Sequence, residues 1–204
     1  GDLEGPTGYA VELPFQQVHH YKAVLDNSFV MGPGSMKLLI GLQQNRRQEF
    51  EEEADEAELD FKLSTMNYDL RYTTDEFADG WRLAAGVGGM YQESDNLGEE
   101  VLIPAYRLFD AGLFMTTTKN WERFTLAGGV RADMRHLSSL YLEDKFDAFE
   151  RDFTGVTGSI GLVYSPFENL NLRANVARGF RAPNLSELAS NGVHEGTIRF
   201  EKGN

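Results

Sequence analysis

Apolar residues recur at every second position along most of this chain, and a period of two leaves little but β-structure open to it. In residues 122–135, Phe124, Leu126, Gly128, Val130, Ala132 and Met134 share one parity, while Arg123, Thr125, Ala127, Gly129, Arg131, Asp133 and Arg135 share the other. Residues 170–177 set Leu170, Leu172, Ala174 and Val176 against Asn171, Arg173, Asn175 and Ala177. Residues 36–45 alternate Met36, Leu38, Ile40 and Leu42 with Lys37, Leu39, Gly41 and Gln43; residues 81–92, 109–117 and 153–165 read the same way. Successive side chains of a strand point to opposite faces, so each segment is predicted to be a strand with one apolar and one polar face. A further strand, 59–72, changes phase: Leu59, Phe61 and Leu63 are odd, Met66, Tyr68, Leu70 and Tyr72 even. That slip predicts a bulge near Ser64–Thr65. A strand around 16–29 has no clear phase.

The connections alternate short and long. Gly32-Pro33-Gly34, Thr118-Lys119-Asn120 and 165–169 are short, with 74–80 somewhat longer; 47–58, 93–107, 138–150 and 180–196 are long. Gly, Pro and Asn suit tight turns because they permit or preset the required φ. Acid gathers in the long links, with seven acidic residues in 49–58 alone, which reads as a solvated, self-repelling loop. In an up-and-down meander this alternation puts all short turns at one end and all long polar loops at the other, the pattern of outer-membrane barrels.

The mean hydropathy of −0.40 fits such a barrel, whose strands need only every second residue apolar. No apolar run approaches the ~18 to 20 residues of a membrane helix. A net charge of −13 repels phosphate backbones and argues against nucleic acid as a partner. The absence of Cys removes disulfides, thiolate metal sites and Cys nucleophiles. Gly86-Val87-Gly88-Gly89 is not a dinucleotide fingerprint, and no spacing supports acid–base or nucleophilic catalysis, so an enzyme is not expected. The fold class read from the pattern is all-β, an antiparallel up-and-down meander forming part of a transmembrane β-barrel. Tyr68, Tyr72, Trp81 and Tyr164, placed near short-turn ends, are expected to form an aromatic girdle. The alternatives are a soluble β-barrel or sandwich, which would bury Leu126, Val130, Leu172 and Val176 in its own core, and a passive porin-like channel.

The strongest local text runs Val176-Ala177-Arg178-Gly179-Phe180-Arg181-Ala182-Pro183-Asn184-Leu185-Ser186-Glu187-Leu188 and continues through Asn191-Gly192-Val193-His194-Glu195-Gly196-Thr197 to Arg199-Phe200-Glu201-Lys202-Gly203-Asn204. It resembles the TonB-dependent outer-membrane receptors, whose late barrel often carries a strand ending in Gly-Phe-Arg-Ala-Pro; weaker resemblance includes residues 43–50 and Leu102-Ile103-Pro104. The resemblance implies a barrel of about 22 strands closed by an N-terminal plug. It also implies a location in the outer membrane of a Gram-negative bacterium, and energy delivered by the TonB complex through that plug. Residues 1–204 then read as a partial barrel domain of eight or nine strands, trimmed at both ends, with lipid around it.

Within that resemblance the ligand is a scarce nutrient: an iron complex, haem or metal, transported rather than held as a resident cofactor. The loop after Phe180 is the expected ligand region. Arg181 presents a planar donor fork that could hold a loop carboxylate such as Glu187; both also read simply as fixing loop geometry. In haem-receptor branches of the family a His after the Phe-Arg-Ala-Pro box is an axial ligand, and His194 would occupy that place, with Glu195 and Glu201 as oxygen donors. Imidazole suits Zn, Cu or Fe, although a lone loop His is more often just polar. His19 and His20, adjacent on a strand, point to opposite faces and cannot share one metal without a local twist; His136 is read as a strand-end polar residue.

Overall fold

The computed structural model describes residues 13–51, 57–98, 104–140, 148–183, 191–193 and 200–202. The alternating segments fold as eight strands: β1 (Phe15–Val30), β2 (Gly34–Phe50), β3 (Leu59–Thr74), β4 (Trp81–Asn96), β5 (Tyr106–Asn120), β6 (Phe124–Ser139), β7 (Phe149–Phe167) and β8 (Leu170–Arg178). Each pairs antiparallel with the next in chain order, giving one eight-stranded meander whose edges are β1 and β8. A separate ribbon pairs β9 (Asn191–Val193) with β10 (Phe200–Lys202). No helix among the described residues is long and apolar enough to cross a membrane, which leaves crossing by strands open.

Cross-strand partners project to the same side, so the register sorts side chains into two faces. One transverse row reads Leu25, Ile40, Tyr68, Gly89, Ala111, Met134, Thr154; another reads Phe29, Met36, Tyr72, Ala85, Met115, Val130, Gly158. These rows form an apolar face that is open to its surroundings: Leu113 is 64%, Val130 56%, Leu172 53% and Val176 72% exposed. Of the four side chains that a soluble module would enclose, Val130, Leu172 and Val176 are thus exposed and Leu126 is half-buried. None is sealed in a core, and the sheet demands an apolar medium on this side.

The apolar band crosses the sheet obliquely. Toward the long-loop end it stops at Leu42, Met66, Tyr91 and Phe109, which share one row, but only at Met134 on β6 and Val156 on β7. Toward the short turns it extends to Met36 on β2, Trp81 on β4, Phe124 on β6 and Leu170 on β8. Strands tilted to a membrane normal require such a slant. From Phe124 to Met134 the band runs about 33 Å at the usual strand rise, or about 25 Å of membrane at ~40° tilt. Trp81 and the stacked rings of Phe124 and Tyr164, 4.5 Å apart, lie at its short-turn margin; Tyr91 and Phe109 mark the other. Tyr68 departs from the expected girdle: it sits inside the band, where its hydroxyl donates to the Asp110 main-chain oxygen at 2.9 Å.

The bulge expected at Ser64–Thr65 is absent. β3 pairs with β2 without interruption from Glu49↔Leu59 to Gly34↔Thr74. The apolar residues change parity because the surroundings change sides. Beyond the band the apolar-band face turns polar (Gln44, Arg46, Gln48, Asp60, Lys62, Glu93, Arg107), with Arg46 bonded to Asp60 at 2.9 and 2.5 Å and Arg107 to Glu93 at 3.0 Å. Leu59, Phe61 and Leu63 instead project to the opposite face. That face holds the one apolar cluster found among the described residues at this end, Leu108 and Leu137 with Met90, Tyr106 and Phe149 against them. A register shift does occur between Tyr164 and Phe167. Pro166 there has no N–H to give to the β8 ladder.

The 75–80 turn takes left-handed backbone at Ala78 (φ 43), Asp79 (φ 55) and Gly80 (φ 104). Its carbonyls are tied down by Lys119, whose Nζ donates to Ala78 O at 2.9 Å and Asp79 O at 2.5 Å, with the ring centroids of Trp81 and Trp121 at 5.5 and 5.7 Å.

Candidate functional site

The polar face carries the chemistry. Its middle is built from charged side chains separated by glycines and threonines, an arrangement that strand alternation imposes once the other face is apolar. Arg135 grips Asp110 through Nε and Nη2 at 2.7 and 2.6 Å, a bidentate fork. The pair is only 22% and 23% exposed. Arg131 Nε donates to Asp133 Oδ1 at 2.6 Å. Below them the Phe114 ring lies between two guanidinium groups, Arg71 at 5.0 Å and Arg131 at 5.9 Å from its centroid, at a favourable range for cation–π attraction. Gly86 makes room for that ring, since a Cβ there would sit 2.6 Å from it.

Toward the long-loop end, Tyr106 donates to Gln92 Oε1 at 2.8 Å and Gln92 donates to Thr65 Oγ1 at 3.1 Å. Tyr106 lies beyond the apolar band, and burial raises its hydroxyl above the ordinary phenol value, so it stays a neutral donor near neutral pH.

After β8 the chain turns onto this polar face. The Phe180 ring covers Gly155, where any Cβ would overlap it. Arg135 Nη1 lies 3.5 Å from the Pro183 oxygen. Phe180, Arg181 and Ala182 thereby line one cavity with Asp110, Arg131, Asp133 and Arg135. An excess of guanidinium over carboxylate at one concavity favours anionic or oxygen-rich ligands.

Of the residues singled out from sequence, Arg181 is thus on the polar face at a charged cavity. Glu187, His194 and Glu195 lie outside the described residues; Glu201 pairs with Gly192 in the β9–β10 ribbon. His19 Nε2 meets Gln17 Nε2 at 2.9 Å, while His20, its neighbour, projects to the other face. His136 Nδ1 meets Asp152 Oδ1 at 2.7 Å. Among the described residues no three His, Asp or Glu side chains gather as a metal cage. From the acidic link, Glu49 is engaged by Gln16 at 3.0 Å and by Arg47. The Asp110–Arg135 pair was not foreseen from sequence; the available signal was an acidic residue and a basic one, each at a polar position inside a strand.

A family model described as TonB dependent receptor-like, beta-barrel, matches residues 16–204. No curated protein matches the chain. Among solved structures, the FrpB iron transporter of Neisseria meningitidis superposes with a TM-score of 0.69 at 14% identity, over 85% of this chain and 30% of that one. The copper transporter OprC gives 0.66 at 16% identity, over 89% and 33%. The ferric yersiniabactin uptake receptor FyuA of Yersinia pestis gives 0.56 at 14%, over 79% and 28%. At these identities the likeness is one of fold, and the chain spans about a third of the length of each.

Proposed function

Because this chain belongs to the TonB-dependent receptor-like β-barrel family, we propose that it supplies eight neighbouring strands of a larger, closed barrel in the outer membrane of a Gram-negative bacterium. The barrel takes up a scarce nutrient, an iron complex, haem or a metal, with energy delivered by the TonB complex through a plug. The observation that carries this reading is the two-sided sheet: an exposed, slanting apolar band about as tall as an outer membrane, backed by a wall of paired charges. Iron and copper transport are what the names of the similar structures state of those proteins, and they motivate the ligand class.

The ligand region is the chain from Arg181 onward. Arg181 and Glu187 position or contact the ligand, and His194 with Glu195 supplies donors, His194 to a metal or haem iron. The test is ligand binding by the complete receptor. Haem, a ferric chelate, Cu²⁺ and Zn²⁺ are titrated separately against wild type and His194→Ala. A tenfold or greater loss of affinity for one of them, about 1.4 kcal/mol, supports the reading. Unchanged affinity for every one that binds removes His194 from the ligand shell.

A further inference from the structure

β8 leaves its ladder before β7 runs out. β7 continues outward to Phe149, yet β8 pairs only with Gly158–Tyr164 and Phe167. Continued in the same register from Gly158↔Arg178, Gly179 to Ala182 would lie opposite Thr157 to Thr154. Parity would then turn Phe180 to the apolar face beside Val156, and Arg181 to the polar face. The chain instead takes Phe180 inward over Gly155, with Pro183 O near Arg135.

Each position satisfies something the other leaves open. The inward one gives Phe180 a glycine notch and brings Pro183 O to the guanidinium that already holds Asp110. The outward one completes the ladder of β7 at 154–157 and puts Phe180 in the apolar band, level with Val156. Only a glycine at 155 admits the inward ring. Gly179 has no atom within 4 Å of where a Cβ would sit, so it is free to hinge. Pro183, without an N–H, stops the outward pairing at Ala182.

We infer that Gly179–Pro183 is a two-position segment. It is either docked inward on Gly155 and latched by Arg135, or zipped onto β7 as a continuation of β8. The exchange moves Phe180 from the lumen to the lipid side and uncovers the cavity at Arg131 and Asp133. The inference rests on the receptor reading for which side is lumen and which is lipid.

Disulfide trapping in the complete receptor, within isolated outer membranes, separates the two positions. The 204 residues contain no cysteine. Thr154→Cys with Ala182→Cys would face each other only in the zipped position. Ile160→Cys with Val176→Cys are partners in both, share that parity, and serve as control. The test pair is expected to crosslink weakly alone, and roughly threefold or more strongly when Arg135→Ala or Gly155→Val is added. No rise with either substitution, while the control pair crosslinks fully, overturns the two-position segment and leaves the receptor reading standing. Loss of the control crosslink overturns the β7–β8 register on which the zipped position is built, and with it the two-position segment, again leaving the receptor reading standing.

Discussion

Tyr68 delivers its hydroxyl proton to the main-chain oxygen of Asp110, two strands away, at 2.9 Å. It does so by lying flat across Gly89, where a Cβ would come within 2.5 Å of the Tyr68 oxygen. A phenol inside an apolar band has no water to turn to, so its partner matters more than it would on a wet surface. Gly89→Val, whose Cβ would strike the Asp110 main-chain oxygen and also evict the ring and strand the hydroxyl, is expected to lower unfolding free energy by about 2 kcal/mol or more. Tyr68→Phe, which removes donor and need together, is expected to cost about 1 kcal/mol or less. Urea unfolding of the receptor in lipid vesicles checks both; a Tyr68→Phe loss as large as that of Gly89→Val contradicts the ring-eviction account.

The assignment of faces has a direct test. Val130, 56% exposed in mid-band, is expected to lose about 2–4 kcal/mol as Val130→Arg, the cost of a cation at the bilayer midplane. Gln44→Arg, just beyond the band on the same face, is expected to lose at most about 1 kcal/mol. Folding into vesicles, monitored by heat-modifiable gel migration, gives the comparison. Equal effects at the two sites would mean that the band does not face lipid.

Arg135 and Asp110 form a bidentate, partly buried charge pair on the polar face. Asp110→Ala or Arg135→Ala, each leaving a partly buried charge without its fork, is expected to destabilise by about 1–2 kcal/mol after allowance for solvent. The double substitution is expected to cost less than the sum of the two. A double-mutant cycle in denaturant measures that coupling; strict additivity would mean the fork contributes nothing.

Lys119, 8% exposed, is the clamp of a turn whose backbone is left-handed at two non-glycine residues. Lys119→Met is expected to lower stability by about 1–2 kcal/mol by freeing the carbonyls of Ala78 and Asp79. Ala78→Gly relieves the positive φ and is expected to be neutral or slightly stabilising. Thermal unfolding of the two variants decides the sign of each.

The meander, the faces of its strands and the ends at which turns and loops fall were legible because alternation and turn chemistry are local. What escaped was set by surroundings that the chain alone does not state. The parity change at Leu63–Met66 reads as a bulge only if one face stays apolar along the whole strand. Above the band the outside is polar and the inside holds Leu108 and Leu137, so an unbroken strand changes pattern. The inward turn of Phe180 was equally hidden. Its notch is Gly155 and its latch Arg135, distant in sequence and close only after the strands have paired. The register shift at Pro166 had a local cause, a missing N–H inside a strand.

From β1 through β7 every seam is an unbroken ladder: six in succession, each without a shift. Prising two such staves apart would rupture a dozen or so main-chain bonds at once, with nothing in an apolar bilayer to replace them. This part of the wall is therefore a fixed gauge that does not dilate; in the receptor proposed above, cargo would pass it only as whatever fills the bore rearranges.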